Sequence, residues 1–401
     1  MGDKNRTAGT KTKELINLSV MLFMFAGYAL TFMVPKFYGA TDRYVGVFVF
    51  LCLCVLTINN IDILLLLKKK DRDLIILALL LAVTLINLLL VRSGLGAFFV
   101  AADFALIFFL SGHIYFSGKN VIIMTGAYMA LLLYWFFIAY PKLFDDYAYY
   151  GYNTNTAATF TIYTLLCAFL LTVILAERED REKGAEYYLK GSAGRLSGLF
   201  AVMLMVKGFQ LALWHRARGA FIMLAVFMVL WFFIPKKWWR NRVFYYTLWI
   251  LSTFGSLAFV AVYVMVGATG VNMKLPFFYK EVFSGRDKIW LEFFTLFSKK
   301  PLTGIGTNVT IESFFEFNVH NAMYNFLVID GIIVFAGIIY LIFRFAKRGF
   351  DKTAGSPLRH CALVVLLSVF FESFFDVDLI WADYALNLLL LTSITGCNGE
   401  V

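Results

Sequence analysis

The sequence predicts an all-α integral membrane protein with about 12 transmembrane helices and a long extracytoplasmic loop that carries short amphipathic helices. Three observations indicate this fold class. Of the 401 residues, 61% are hydrophobic and only 15% are charged, which is too apolar for a soluble domain. The apolar residues form runs of about 20, the length that a helix needs to cross a bilayer. The aromatic content of 18% fits rings placed at membrane interfaces.

The apolar runs follow one another along the whole chain, so a single polytopic domain is predicted over 1–401. The predicted spans are 15–34, 45–67, 74–91, 94–116, 121–140, 156–176, 195–213, 219–235, 243–266, 322–343, 359–375 and 378–394. The last of these contains Asp383 and Asn387, and a re-entrant segment is the alternative there.

The distribution of basic residues predicts an orientation. If the N-terminus is cytoplasmic, roughly two thirds of the Lys and Arg residues fall in cytoplasmic segments, where such residues normally collect. Both termini are therefore predicted in the cytoplasm, with the protein in the cell membrane. The mixed-charge stretch 177–195 becomes a cytoplasmic loop, and 267–321 becomes the large extracytoplasmic loop.

Several other function classes find no support in the sequence. The net charge of +10 does not indicate nucleic-acid binding, because the basic residues lie in short loops between apolar runs. The five cysteines have neither disulfide nor zinc spacing and are expected to be small buried hydrophobic residues. Motifs of metal hydrolases, serine hydrolases and ATPases are absent, so no metal or cofactor is predicted.

Two arginines lie in a short turn predicted to face outward, against the usual charge bias. One interpretation of Arg216 and Arg218 is interfacial anchoring, with both side chains reaching lipid headgroups. The other is a site for an anion, because a planar guanidinium donates two parallel hydrogen bonds to a phosphate. Residues two apart on a helical turn point to different sides, so only one of the two is expected to face such a site.

The stretch 284–331 is the longest polar interruption in the chain. From Asp287, apolar and polar residues recur with helical spacing over about 11 residues, which predicts a short amphipathic helix lying on the membrane surface. Arg286 stands at its N-terminus, where the guanidinium and the helix end both attract anions. Pro301 ends the segment, and the Gly304-Ile305-Gly306 loop permits close approach of backbone.

His320 begins the tenth predicted span. A histidine at a membrane interface is commonly a neutral hydrogen-bonding residue, but the predicted topology places this one on the same side as the three arginines. Neighbouring guanidinium groups disfavour the protonated imidazole and keep it available as a base. Together these residues are suited to deprotonating a sugar hydroxyl while arginines hold a departing pyrophosphate.

Glu372 is a candidate partner for one of the arginines. It lies near the outer end of the eleventh predicted span, with Asp376 and Asp378 just beyond it. A structural ion pair and a role in binding the acceptor are both open interpretations.

Short motifs in matching order resemble the bacterial O-antigen polymerase and O-antigen ligase superfamily. They are Tyr152-Asn153-Thr154-Asn155, Arg218-Gly219, Gly285-Arg286-Asp287-Lys288-Ile289-Trp290, Pro301-Leu302-Thr303-Gly304-Ile305-Gly306, His320-Asn321 and Gly331. The resemblance covers about 150–345, and Ala217 stands where a serine is common in the family.

This resemblance implies transfer of a glycan from undecaprenyl pyrophosphate to an acceptor, without metal or nucleotide. It implies that Arg218 and Arg286 contact the pyrophosphate and that His320 is the base or an acceptor-orienting group. Asn155 and Asn321 are secondary candidates through their places in the motifs. The implied partners are the lipid-linked oligosaccharide, membrane lipid, and chain-length regulator and flippase proteins.

Three functions remain open on the sequence. The first is a polymerase that joins repeat units into O-antigen, capsular or exopolysaccharide, and the second is a ligase that moves a finished glycan onto a lipid or protein. The third, from a different class, is a polysaccharide transporter or flippase. A transporter requires a polar path through the middle of the bundle, whereas the polar candidates here cluster at one predicted face.

Overall fold

The computed structural model of the protein is built of helices, apart from one very short antiparallel strand pair. It describes residues 2–33, 35–91, 93–139, 154–183, 192–269, 274–275, 280–281, 283, 285–313, 318–353 and 355–397. Ser284, the Tyr152-Asn153 part of the motif that ends at Asn155, the centre of the predicted loop 177–195, and parts of 267–321 lie outside the described residues.

The first part of the chain forms seven of the described helices. They are α1 Gly2–Met33, α2 Pro35–Asn60, α3 Ile63–Lys68, α4 Arg72–Leu90, α5 Leu95–Leu110, α6 Gly118–Tyr134, which continues as a π-helix Trp135–Ala139, and α7 Thr154–Lys183.

The second part contains the remaining elements. They are α8 Ser192–Trp214, α9 Arg218–Met228 with a π-helix Val229–Phe233, α10 Lys236–Trp239, α11 Arg242–Gly267, β1 Lys274–Leu275, β2 Lys280–Glu281, α12 Arg286–Phe297, α13 Ala322–Asn325 with a π-helix Phe326–Asp330, α14 Gly331–Thr353, α15 Pro357–Glu372, a 3-10 turn Ala382–Tyr384, and α16 Ala385–Gly396.

Six helical segments of the described chain are long and apolar enough to cross a membrane. They are Thr10–Met33, Arg72–Leu90, Gly118–Ala139, Asn155–Glu177, Arg242–Gly267 and Ala322–Thr353. Shorter apolar helices cover Tyr44–Asn60, Leu95–Leu110, Gly198–Trp214 and Arg218–Phe233. The chain is therefore a helical membrane protein, while the count of twelve spans and their orientation stay predictions. Two predicted spans are shorter than expected, because α2 ends at Asn60 and the last helix begins only at Ala385.

Helices α7 and α15 form the centre of the bundle. The apolar segment of α7 is 89% buried, and nearly every residue of α15 from Leu358 to Phe370 is buried. A helix that is apolar all round belongs inside a bundle, and these two helices contact each other as well as α9 and α16. The N-terminal end of α7 and the C-terminal end of α15 carry the polar residues described below.

Helices α4 and α14 run antiparallel and are joined at both ends by polar contacts. Near one end, the buried Asp73 accepts hydrogen bonds from Arg344 Nε at 2.7 Å and Tyr340 Oη at 2.9 Å. At the other end, Asn87 Nδ2 donates to Asp330 O at 2.9 Å. Charge-assisted hydrogen bonds are stronger than neutral ones, so this pairing fixes the position of the chain that leads into α14.

Helix α12 packs on the protein, which differs from the predicted position on the membrane surface. Its apolar face, with Ile289, Trp290 and Phe293 buried, lies against α11. Trp290 Nε1 donates to Val319 O at 2.6 Å, and Tyr324 Oη donates to Trp290 O at 3.1 Å. These two hydrogen bonds hold the first half of α12 against α13 and the segment that precedes it.

The loop after Pro301 packs against the start of α14 through backbone hydrogen bonds. Ile305 N donates to Val328 O at 2.9 Å, and Ile332 N donates to Pro301 O at 2.9 Å. Gly304 has φ +74° and Gly331 has φ +85°, a region that L residues rarely adopt. The close approach predicted for the Gly304 loop is therefore made to the protein's own backbone.

Replacing Gly304 with alanine is expected to destabilise the protein by about 3 kcal/mol or more. The added Cβ would overlap Ile329 O, and the left-handed backbone adds strain. The matched control is Gly285→Ala, since Gly285 has φ +77° but no described heavy atom within 4 Å of a Cβ at that position. Thermal unfolding in detergent should show a much larger loss for Gly304→Ala, and equal losses would contradict the packing argument.

Candidate functional site

The turn between α8 and α9 separates the two arginines. Arg216 has φ +50°, and Ala217 N donates to Ala212 O at 3.0 Å, so a left-handed residue closes α8 as in a Schellman motif. The Arg216 side chain is exposed, whereas Arg218 is partly buried and is the first residue of α9. Ala217 at the N-cap supplies no side-chain hydrogen bond to the first turn of α9.

A polar cavity of about 30 Å³ lies where α7, α9, α12 and the turn after α15 meet. It is lined by Asn155, Thr159, Ala217, Arg218, Gly219, Ala220, Arg286, Glu372, Phe375 and Asp376. Arg218 and Arg286 are near enough for their charges to repel each other. Each is the first residue of its helix, so two positive helix ends and two guanidinium groups meet at one small cavity.

His320 is held at the edge of this site by an ordered turn. Its backbone takes φ +52°, a conformation that histidine and asparagine tolerate better than most residues, and its N–H donates to Asn318 Oδ1 at 2.8 Å. The next residue, Asn321, is fully buried. Its Oδ1 accepts from Tyr324 N at 2.9 Å and from Ser256 Oγ at 3.0 Å.

The His320 turn is fastened to the turn that follows α15. Asn321 Nδ2 donates to Phe374 O at 3.1 Å, and Ala322 N donates to Ser373 O at 3.2 Å. Asn321 therefore positions the backbone around His320. These bonds connect chain segments more than 50 residues apart.

Asp376 bridges the histidine and one arginine. His320 Nδ1 lies 3.5 Å from Asp376 Oδ1, and Arg286 Nη2 lies 3.7 Å from Asp376 Oδ2. All three side chains are one-fifth exposed or less. Both contacts are longer than an ideal charge-assisted hydrogen bond.

The environment of Asp376 keeps it ionised. Burial by itself would raise the pKa of Asp376, but the hydrogen bond from His320 and the charge of Arg286 outweigh it and lower the pKa below its usual value. A carboxylate that accepts from Nδ1–H of a histidine fixes the tautomer in which Nε2 is the basic nitrogen. His320 and Asp376 thus have the geometry of an oriented base.

Two further carboxyl groups lie behind the cavity. Glu372, the last residue of α15, is 0% exposed, and Asp378 in the turn before α16 is 5% exposed. The two carboxyl groups are within hydrogen-bonding reach of each other, and Asp378 also accepts from Thr159. Burial, followed by the negative charge of Asp376, raises the pKa of Asp378 to about 8.

The structure brings together most of the residues that the sequence proposed, and it separates one of them. Arg218, Arg286, Glu372 and Asn155 line the cavity, and His320 reaches it through Asp376. The exposed Arg216 is not among the described lining residues. Arg286 and His320 are joined through Asp376, since no direct contact between them is found among the described residues.

Two functional candidates were missed by the sequence argument. Asp376 was noted only for its position just beyond Glu372, and its place beside His320 was not anticipated. Thr159 was not considered, although it follows Asn155 by one helical turn, and residues four apart share a face. That spacing was the available signal.

The stability of the protein is expected to fall as pH rises between the ordinary and the raised pKa of Asp378. The usual value is 3.8 and the folded value is about 8. Between them the folded protein keeps a proton that the unfolded chain has released, so stability falls with pH and levels off above about pH 8, by up to about 1.4 kcal/mol per pH unit. Melting temperatures of Asp378→Asn across this window should slope less than those of the wild type. Parallel curves would show that Asp378 titrates normally.

No group of three or more His, Cys, Asp or Glu residues suited to a metal ion is found in the described chain. A comparison with models of known protein families finds no match, and a comparison with curated proteins finds no significant match.

Proposed function

We propose that the protein is a glycosyltransferase that joins undecaprenyl-pyrophosphate-linked oligosaccharides into a longer polysaccharide on the outer face of the cytoplasmic membrane. The observation that carries the proposal is the meeting of Arg218 and Arg286, each at a helix N-terminus, with the His320–Asp376 pair at one cavity. An anion-holding group and an oriented base at one place are what such a transfer requires.

The anion-holding half suits a pyrophosphate. Guanidinium groups remain charged at all physiological pH values and donate paired hydrogen bonds to phosphate oxygens. The N-terminal end of α9 also favours an anion through its helix dipole. The cavity of about 30 Å³ has room for about one water molecule, so phosphate oxygens would enter as Arg286 shifts away from its long contact with Asp376.

The base half suits activation of a sugar hydroxyl. With Nδ1–H directed at Asp376, His320 Nε2 accepts the proton of the acceptor hydroxyl. The hydroxyl oxygen then forms a bond to the anomeric carbon of the donor sugar. The bond from that carbon to the pyrophosphate oxygen breaks, and its electron pair stays on the pyrophosphate, where the arginines stabilise the charge. Attack from the face opposite the leaving group inverts the anomeric centre.

The six apolar helices support the lipid part of the proposal. A polyprenyl carrier places its pyrophosphate at the membrane surface while its chain stays in the bilayer. A site formed at helix termini, as this one is, suits such a headgroup.

The test is a transfer assay with the purified protein in lipid nanodiscs. The substrate is a synthetic oligosaccharide on undecaprenyl pyrophosphate, and the products are sized by electrophoresis and mass spectrometry. A ladder of extended chains, with release of the carrier, is expected from a polymerase. A single transfer to an added lipid or protein acceptor would indicate a ligase. Passage of the intact substrate across the bilayer without transfer would overturn the proposal in favour of a transporter.

A further inference from the structure

Glu372 occupies an unusual position for a carboxyl group beside an anion site. Its side chain is fully buried and lines the cavity, and its Oε1 lies 2.6 Å from where a Cβ on residue 219 would be. Gly219 therefore leaves the space that lets this carboxyl reach the first turn of α9. Among the described residues, no N–H or hydroxyl group donates a hydrogen bond to either oxygen of Glu372.

The neighbour of Glu372 is another carboxyl group. Asp378 lies within hydrogen-bonding reach of it and is itself buried. Two ionised carboxylates only accept hydrogen bonds, so this contact is favourable only when one of the pair carries a proton. A buried pair of this kind keeps protons that isolated carboxyl groups would release.

We propose that Glu372 takes part in pyrophosphate binding as a protonated acid that donates a hydrogen bond to a phosphate oxygen, while a protonated Asp378 donates a hydrogen bond to Glu372. This inference rests on the proposed function. It adds Glu372 as a binding residue whose carboxyl group must be protonated when the pyrophosphate binds.

The charges around Glu372 favour the neutral form when a pyrophosphate is bound. The groups that face it are Arg218 from α9, Arg286 from α12, Tyr163 from α7, and Asp376 and Asp378 from the turn after α15. An ionised Glu372 would cancel one of the two arginine charges and repel the phosphate. A neutral acid leaves the arginine charges in place. It also supplies a hydrogen-bond donor, whereas an ionised Glu372 would present only acceptors.

A pH dependence of donor binding follows from the proton on Asp378. Below about pH 8 Asp378 keeps its proton, and above it the proton is lost, so the Glu372 proton turns back to Asp378 and a negative charge lies near the phosphate. Affinity for the pyrophosphate is therefore expected to fall as the pH rises through this range, by about tenfold if the repulsion is worth one pKa unit.

The experiment measures binding of undecaprenyl pyrophosphate to the detergent-solubilised protein at pH values on both sides of about pH 8. Glu372→Gln places an uncharged donor in the position of the protonated acid. It is expected to bind within about threefold of the wild type at the lower pH and to lose most of the pH dependence. Glu372→Ala removes the donor and is expected to bind about tenfold more weakly at the lower pH. Melting temperatures establish that both variants fold.

Two results would overturn the inference. Weakening of Glu372→Gln to the level of Glu372→Ala, in folded protein, would show that the ionised carboxylate is required and would point to a role in holding the acceptor. An unchanged pH dependence in Glu372→Gln would assign the titration to another group. Both results leave the proposed function intact, because the wild type binds the carrier in either case. Absence of carrier binding by the wild type would instead reject the proposed function itself.

Discussion

Substitution of His320 by asparagine is expected to lower the rate of glycan transfer by about 100-fold to 10,000-fold, the usual contribution of a general base. Asparagine tolerates the φ of +52° at this position better than alanine does, so the turn keeps its shape while the basic nitrogen is lost. Binding of the lipid donor should change little, because the arginines remain. The measurements are initial rates with the synthetic lipid-linked substrate and donor affinity determined separately.

A matched control for this variant is His113→Asn. The ring of His113 contacts Phe109 O at 3.0 Å, at the end of α5 and outside the described lining of the cavity. Transfer by this variant should stay within about twofold of the wild type. If His320→Asn kept half or more of the wild-type rate, His320 would be an acceptor-orienting or structural residue, and the base would have to be sought elsewhere.

Replacing Arg286 with alanine is expected to reduce transfer by about 100-fold to 1,000-fold, as removal of one donor from a charge-stabilising site commonly does. Unlike the histidine variant, it should also weaken donor binding, since the same guanidinium holds the phosphate before and during the reaction. Arg286→Lys should restore only part of the loss, because a lysine ammonium keeps the charge but not the paired hydrogen bonds. Rates and donor affinities for the three proteins provide the measurement.

The control for Arg286 is Arg216→Ala. Arg216 carries the same charge and lies two residues from Arg218, but its side chain is exposed and is not part of the described cavity lining. Its loss should lower transfer by no more than about twofold, through long-range attraction of the anionic headgroup. Equal defects in the two variants would mean that net positive charge near the membrane, and not a defined phosphate site, explains the role of Arg286.

Features that depend on local spacing were accessible from the sequence. The helical character and the membrane class follow from the length and composition of the apolar runs. The structure confirms the helices, and six helical segments of the described chain are long and apolar enough to cross a membrane. The periodic stripe from Asp287 predicted a short helix, and α12 spans Arg286–Phe297. Only one of two arginines two positions apart was expected to face a site. In agreement, Arg216 is exposed and Arg218 lines the cavity.

Features that depend on long-range packing were not accessible. An amphipathic stripe has the same pattern whether it covers lipid or protein, so the packing of Trp290 against the core was not predictable from spacing. The contact of Asp376 with His320 joins residues 56 positions apart and depends on how α15 ends inside the bundle. Gly304 predicted close backbone approach and Gly331 was only part of a motif, so the contact between the two was found only in the structure.

The bridge through Asp376 has a consequence for the order of events. Arg286 and His320 both contact the carboxylate of Asp376, so a phosphate that draws Arg286 away would leave that carboxylate to His320 alone. Linkage requires the reverse as well: a closer contact between His320 and Asp376 would release Arg286 to the phosphate. Under the proposed function, donor binding would thus position His320 before the acceptor arrives, and departure of the carrier would return Arg286 to Asp376.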